Sequence, residues 1–372
     1  MTSMTPPIIP MSAGKPVTRA SARAATMKAI VKGAAGPGAE VREVPVPTCG
    51  PGELLLRVKR AGVCGTDLHI VEWDRWSQGR LKPPVTLGHE FVGEVIERGA
   101  GVTQFELGDR VSCESHIVCQ HCVACRTGNA HVCPNTRILG VDVNGGFAEM
   151  VAVPAVNAWK APANVPIEVA AVMEPLGNAV HTAFAGPLSG CNIAVTGCGP
   201  IGLFAIGVAR AAGAARVFAS DVSPYRLDLA RRMNADAVID VSKERFDERV
   251  HDLTDGQGLD GVLEMSGNPQ AVRDGLAALR NGGRMSLLGL PKESYELDWN
   301  RLVIFKGVTL HGIIGRRMYE TWYQMDHLLG SGRLDIRPAI THVMPMQEFE
   351  DAIALLRSGQ AGKVVLVPWG EG

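Results

Sequence analysis

Aromatic side chains are scarce in this 372-residue chain, at 5% of positions, and net charge is nearly absent, with 37 Lys and Arg against 38 Asp and Glu. That balance removes any global electrostatic reason to bind nucleic acid or an anionic membrane, and makes a small molecule the default partner. No run approaches the roughly 18 to 20 unbroken apolar residues of a membrane span; the most apolar windows are strand-length and broken by Gly, Pro or charge. Acidic residues are missing altogether from residues 1–26, where Lys15, Arg19 and Arg23 stand among Pro, Ser, Thr and Ala. Such a stretch has too little apolar surface to order itself. It lacks the apolar core of a secretory signal, although a basic, acid-free start is also the composition of an organelle transit peptide. The plainer expectation is a disordered extension, a folded part beginning at Met27 and a cytoplasmic protein.

Glycine, by contrast, is abundant at 43 residues, and 46% of the chain is hydrophobic, enough for two domains with good cores. From Met27 the texture is antiparallel β, with runs at Lys28–Lys32, Leu54–Arg60, Phe91–Glu97 and Arg110–Cys113 separated by Gly and Pro. After about Pro175 apolar strands alternate with helical stretches. Strands are expected at Asn192–Cys198, Arg216–Val222, Ala237–Asp240, Gly261–Met265, Arg284–Leu290 and Thr309–Ile314, and helices at Ile201–Ala212, Pro224–Met233 and Gln270–Leu279. This alternation predicts an α/β, doubly wound parallel sheet. A helix near Tyr319–Leu329, a β-like Pro338–Met344 and a strand at Lys363–Val367 break the alternation and are expected to return to the first domain.

Nine cysteines is an odd count, and four of them crowd into residues 119–133, which suits metal thiolates in a reducing compartment better than paired disulfides. Cys119, Cys122, Cys125 and Cys133 supply four soft ligands with no open position, the pattern of a closed structural Zn²⁺ site. An iron–sulfur cluster takes the same ligands, but the spacing matches neither ferredoxin pattern. With only Arg126 and Arg137 nearby and no interleaved aromatics, a nucleic-acid-binding ribbon is disfavoured.

Two further sets carry chemistry. Cys64 follows a β-run at a sharp Gly turn, His89-Glu90 stand at a loop–strand junction, and Glu174 sits among apolar residues where an unpaired acid is costly. A Cys/His/Glu set with one exchangeable position is what a catalytic zinc requires. Spacing alone leaves open an ordinary core or surface role for each. The second set is Gly197-Cys-Gly199-Pro-Ile201-Gly202, which follows an apolar strand and opens a helix, with Asp221 ending the next strand. The glycines permit a tight turn and close approach of a pyrophosphate to the helix N-terminus. Asp221 can accept from a ribose and repels a 2′-phosphate, favouring NAD over NADP. Arg226 fits adenine stacking or a ribose contact, and equally a phosphate partner.

The stretches Cys64–His69, Trp73–Gln78, Gly88–Glu90, Ser115–Cys119, Glu174–Thr182, Glu264–Gly267 and Ser358–Lys363 resemble the zinc-dependent medium-chain alcohol dehydrogenase family, over essentially Met27–Pro368. The resemblance implies a GroES-like β domain (27–173 and 317–372) interrupted by a Rossmann NAD-binding domain (174–316), with the active site between them. It implies two zinc ions per subunit. Cys64, His89 and Glu90 would hold the catalytic one, with Glu174 as alternating ligand or relay member, and the four clustered cysteines the structural one. Thr66 and His69 fall where the family places its proton relay. Ile201, Asp221, Arg226, Leu288, Gly289, Leu290, Ile313 and Ile314 match cofactor-contacting positions, and a homotetramer is implied. The Trp73–Gln78 and Pro175–His181 runs point, by the same resemblance, to oxidation of L-threonine to 2-amino-3-oxobutanoate. A polyol or butanediol substrate is the alternative within the family. His116 and Glu90 are candidates to pair the charged ends of a zwitterion. A non-catalytic dinucleotide-binding protein would be expected to have lost a ligand or relay residue, yet Cys64, Thr66, His69, His89 and Glu174 are all present.

Overall fold

The computed structural model describes residues 26–370, so the expectation for residues 1–25 lies outside the described residues. Thr26–Lys32 (β1) opens the described chain, one residue before Met27, and pairs with a strand at residues 40–45. Glu53–Val63 (β2) follows, and the helix Gly65–Glu72 (α1) leaves its end after the single residue Cys64. Glu90–Arg98 (β3), Arg110–Cys113 (β4), Met150–Pro154 (β5) and Ala158–Lys160 (β6) build an antiparallel sheet around β2. Leu54, Leu55 and Leu56 are all fully buried, which explains why β2 reads as a continuous apolar run rather than an alternating one.

In the second half, Asn192–Thr196 (β7), Arg216–Asp221 (β8), Ala237–Asp240 (β9), Leu259–Glu264 (β10), Leu279–Leu287 (β11) and Thr309–Gly312 (β12) form a parallel sheet in the order β9-β8-β7-β10-β11-β12. The helices are Met173–Phe184 (α2), Pro200–Ala211 (α3), Pro224–Arg232 (α4), Phe246–Leu253 (α5) and Pro269–Ala278 (α6). Ile193 and Val195 of β7 face a core shared with α3 and α4, whereas Ala194 faces one shared with α5 and α6. Strand order reverses beside β7, where an α/β sheet opens its ligand crevice.

The strands anticipated to reach Cys198, Val222, Met265, Leu290 and Ile314 stop one to three residues earlier, at the ends given above. Their last residues leave the ladder to form the turns that line this crevice. At β10, for example, the Glu264 carboxylate accepts from the amides of Ser266 (2.8 Å) and Gly267 (3.0 Å) and curls the chain away. Strand β11 begins at Leu279, absorbing Asn281–Gly283, which the sequence had suggested lay before it.

The tail contributes Glu320–Gly330 (α7), Ile340–Pro345 (β13), Phe349–Ser358 (α8) and Lys363–Val367 (β14). As anticipated, β14 joins the first sheet, antiparallel to β2, with β13 parallel beside it. Helix α8 was not anticipated, although Phe349, Ala352 and Ile353 are buried at helical spacing. Helix α7 packs against α2, and its Trp322 stacks near Trp159, their ring centroids 5.9 Å apart. Among the described residues no helix is long and apolar enough to cross a membrane.

Candidate active site

The end of β2 and the start of β3 lie side by side, Gly62 opposite Glu90, and this register brings Cys64 next to His89 and Glu90. One ligand atom from each of the three lies within 4.8 Å of the others. Asp67, three residues into the following helix, accepts from the Cys64 amide at 2.9 Å and places Oδ1 3.9 Å from His89 Nδ1. His89 Nδ1, Asp67 Oδ1 and Glu90 Oε1 are buried without a hydrogen-bond partner among the described residues, while Glu90 Oε2 is held by Lys363 Nζ. So many orphaned donors and acceptors around one thiol are costly unless something satisfies them. A soft sulfur, an imidazole and a carboxylate are a zinc donor set, so the residues fit that ion. The charges interact strongly. Burial would lower the His89 imidazole, but the Cys64 thiolate and then Asp67 and Glu174 overcome it and raise it to about 10, while burial pushes Asp67 up to about 6.

Cys119, Cys122, Cys125 and Cys133 form a second such group, again within 4.8 Å, on a lobe of short turns in which the Cys125 amide points at Cys122 Sγ (3.5 Å) and the Cys119 amide at Cys133 Sγ (3.5 Å). N–H groups aimed at sulfur stabilise thiolates, as a closed four-cysteine zinc site needs. None of the nine cysteines is in a disulfide.

The Thr66 hydroxyl lies 3.7 Å from Cys64 Sγ. His69, one turn further along α1, is half exposed and bonds through Nδ1 to Asp74 at 2.7 Å. Asp74 also caps the next short helix by accepting from the Ser77 backbone amide (2.9 Å), and Gln78 Nε2 donates to the Trp73 carbonyl (2.8 Å). The Trp73–Gln78 run is therefore a brace for His69.

Helix α2 supplies the other wall. Glu174, Asn178 and His181 share one face at i, i+4 and i+7. Glu174 accepts from Ser115 Oγ (2.5 Å) and pairs with Arg316 (2.8 Å), and Asn178 accepts from the same guanidinium at 3.1 Å. Arg316 is paired in turn with Glu114, which also accepts from the Trp322 indole at 2.8 Å. Against burial, Arg316 holds the Glu114 carboxyl down to about 2. Glu114, Arg316, Asp67 and Lys363 had no role assigned from sequence, because a buried ion pair between distant segments has no local pattern. Only Asp67, at the capping position of α1, carried a short-range signal.

Two expectations change. Glu90 is already ion-paired with Lys363 and so is not free to bind an ammonium group. Burial, reinforced by Arg316, lowers His116 to about 4; the ring is neutral at ordinary pH and offers a hydrogen bond rather than a charge.

Across the crevice, Gly197 has φ of 91° and backs onto Ser266, where a Cβ would come within 2.8 Å. A Cβ on Gly202 would overlap the Gly197 carbonyl, whereas at Gly199, the residue that caps α3, it would meet nothing within 4 Å. The turn is thus closed underneath and open above. Asp221 accepts from the Cys198 amide (2.8 Å) and the Ser223 amide (2.9 Å), tying this turn to the next, and Arg226 stands 4.0 Å from it. Ile201 packs against the core at the start of α3. The Leu288 and Gly289 amides bond to the Glu264 carbonyl, and the Ile313 amide to the Leu287 carbonyl, leaving Leu290 and Ile314 exposed toward solvent. Gly315 then abuts His116, so the two walls meet.

Residues 50–163 match the alcohol dehydrogenase GroES-like domain and residues 200–331 the zinc-binding dehydrogenase family. The chain is similar to the L-threonine 3-dehydrogenase of Symbiobacterium thermophilum, 52% identical over 346 residues that cover 93% of this chain and 99% of that protein. It is 51% identical to the L-threonine 3-dehydrogenase of Bacillus licheniformis over 342 residues, covering 92% and 99%. Among solved structures, an alcohol dehydrogenase of Escherichia coli CFT073 complexed with NADH superposes with a TM-score of 0.85 at 28% identity, covering 92% of this chain and 100% of that one.

Proposed function

Because the chain belongs to the zinc-dependent medium-chain alcohol dehydrogenase family, we propose that it oxidises the 3-hydroxyl of L-threonine to give 2-amino-3-oxobutanoate, with NAD as the oxidant. The observation that carries this reading is the convergence of Cys64, His89 and Glu90 on one orphaned buried site, in a chain about half identical to L-threonine 3-dehydrogenases along nearly its whole length. Cys64, His89 and Glu90 would hold the catalytic zinc, with Glu174 as its exchangeable partner, and Cys119, Cys122, Cys125 and Cys133 the structural one. When bound, zinc supplies the Lewis acid that makes a secondary hydroxyl acidic near neutral pH, and NAD supplies the hydride acceptor.

The remaining work falls to the chain. Thr66 Oγ1, 3.7 Å from Cys64 Sγ, would accept the hydroxyl proton while giving up its own. His69, its Nδ1 engaged by Asp74, keeps Nε2 to pass that proton to water. Ser115 and Arg316 fix Glu174 at the wall of the site. The turn from Gly197 to Gly202 would cradle the pyrophosphate at the N-terminus of α3, Asp221 and Arg226 would face the adenosine ribose, and Leu288–Leu290 with Ile313 and Ile314 would flank the nicotinamide. Thiolate ligands favour a reducing, cytoplasmic setting. A homotetramer agrees with the free edge of β12 and with Phe305, 80% exposed, and Ile304, 63% exposed, just before it.

The test is NADH formation with L-threonine, 2,3-butanediol and sorbitol in parallel, with NAD or NADP, with and without a chelator. Chelator-sensitive NAD reduction specific to L-threonine is expected. Preference for a neutral diol overturns the substrate, and inactivity with every alcohol overturns the enzyme reading.

A further inference from the structure

Behind the Cys64 site, Lys363 lies across a strand to reach Glu90. Lys363 opens β14 and Glu90 opens β3, and both strands flank β2, with Val364 opposite Val63 and Gly62 opposite Glu90. The two side chains can meet only over β2, and they cross at Gly62. A Cβ there would overlap a Glu90 carboxylate oxygen and stand 3.1 Å from Lys363 Cε. The missing side chain is thus a passage, and through it the ammonium pairs with Glu90 and donates to the Val63 carbonyl at 2.8 Å. Lys363 is 2% exposed and Glu90 fully buried, so this is an ion pair without solvent screening.

The charges around the site set its appetite for a cation. Lys363 and His89 share one carboxylate, with Glu90 Oε2 paired to the ammonium and Glu90 Oε1 3.9 Å from His89 Nε2. We infer that Lys363 is a positioning residue that holds Glu90 back from full ligation, so that a divalent cation binds between Cys64 and His89 with moderated affinity and shares Glu90 with the ammonium. This rests on the reading of Cys64, His89 and Glu90 as a metal site. The physical consequence has a definite sign. Without the ammonium, Glu90 loses its close ion pair in the metal-free protein and keeps the longer 3.9 Å contact to His89 Nε2, so a divalent ion gains the carboxylate undivided.

The experiment compares Lys363→Met, which keeps the aliphatic stem, with Lys363→Arg and the wild type. Zinc affinity of the second, chelator-removable site is measured by competition with a chromogenic chelator, and melting is followed with and without zinc. Lys363→Met is expected to bind zinc at least tenfold more tightly and to melt lower when metal-free, recovering on zinc addition; Lys363→Arg should behave like the wild type. The double variant Glu90→Gln with Lys363→Met removes both charges, so it should fold readily and lose the tightening. Unchanged or weaker zinc binding in Lys363→Met, or equal loss of stability with and without zinc, overturns the role of Lys363. A wild-type chain that takes up only one zinc in excess zinc overturns the underlying metal site instead, so the two failures are distinguishable.

Discussion

Arg316 and Glu114, 202 residues apart, form a two-pronged buried ion pair that pins the segment after β12 to the strand end after β4. The same guanidinium reaches Glu174 at 2.8 Å, so one arginine ties the β domain, helix α2 and the cofactor-side segment together at the back of the candidate site.

This pair predicts a specific acid response. Glu114 titrates near 2 in the folded chain, below its ordinary 4.5, because Arg316 outweighs the burial that would raise it. A depressed folded value contributes stability above the unfolded pKa, and that contribution is lost as the pH falls from about 4.5 toward 2. The shift corresponds to about 3 kcal/mol. Glu114→Gln should therefore melt well below the wild type at pH 7, and the gap should narrow below about pH 4.5 and close as the pH approaches 2. A gap that stays constant with pH would contradict the linkage.

The two metal groups should fail differently. Cys64→Ser is expected to abolish turnover, leave NAD binding nearly intact and reduce zinc content to one per chain. Cys122→Ser should also leave one zinc but lower stability, because four thiolates tie that lobe together. Metal analysis, NADH binding and thermal melts on the two variants check this. Unchanged turnover in Cys64→Ser, or a fully stable two-zinc Cys122→Ser, would falsify the corresponding assignment.

Asp221 should set cofactor choice. Its carboxylate already accepts two backbone amides and stays in place beside Arg226. Asp221→Asn removes the charge that repels a 2′-phosphate while keeping the size, so kcat/KM for NADP relative to NAD should rise about tenfold, which is about 1.4 kcal/mol. An unchanged ratio would show that Asp221 serves the turns alone.

Much of this protein was readable in the linear chain, wherever the signal is local. The alternation of apolar strands and helices, the glycine turn with its acid nineteen residues later, and four cysteines within fifteen residues each depend on neighbours in sequence, and each is found as the pattern implies. Strand ends were less readable, because Gly197 turns off against the facing Ser266 and the chain past Glu264 is curled away by that residue's own carboxylate. Helix α8 carries its signal only in the spacing of Phe349, Ala352 and Ile353.

What linear order could not carry is the set of partners. Cys64, His89 and Glu90 are typical residues one by one, and only the register of β2 against β3 brings them within 4.8 Å. The cations that hold the acids are more distant still. Lys363 reaches Glu90 because β14 returns to β2 and Gly62 leaves room, and Arg316 reaches Glu174 because α2 packs behind both domains. Local backbone preference and hydrophobic period act over a few residues and so are written in the chain. Charge pairing in a buried site depends on distances that exist only once the two sheets have closed around it.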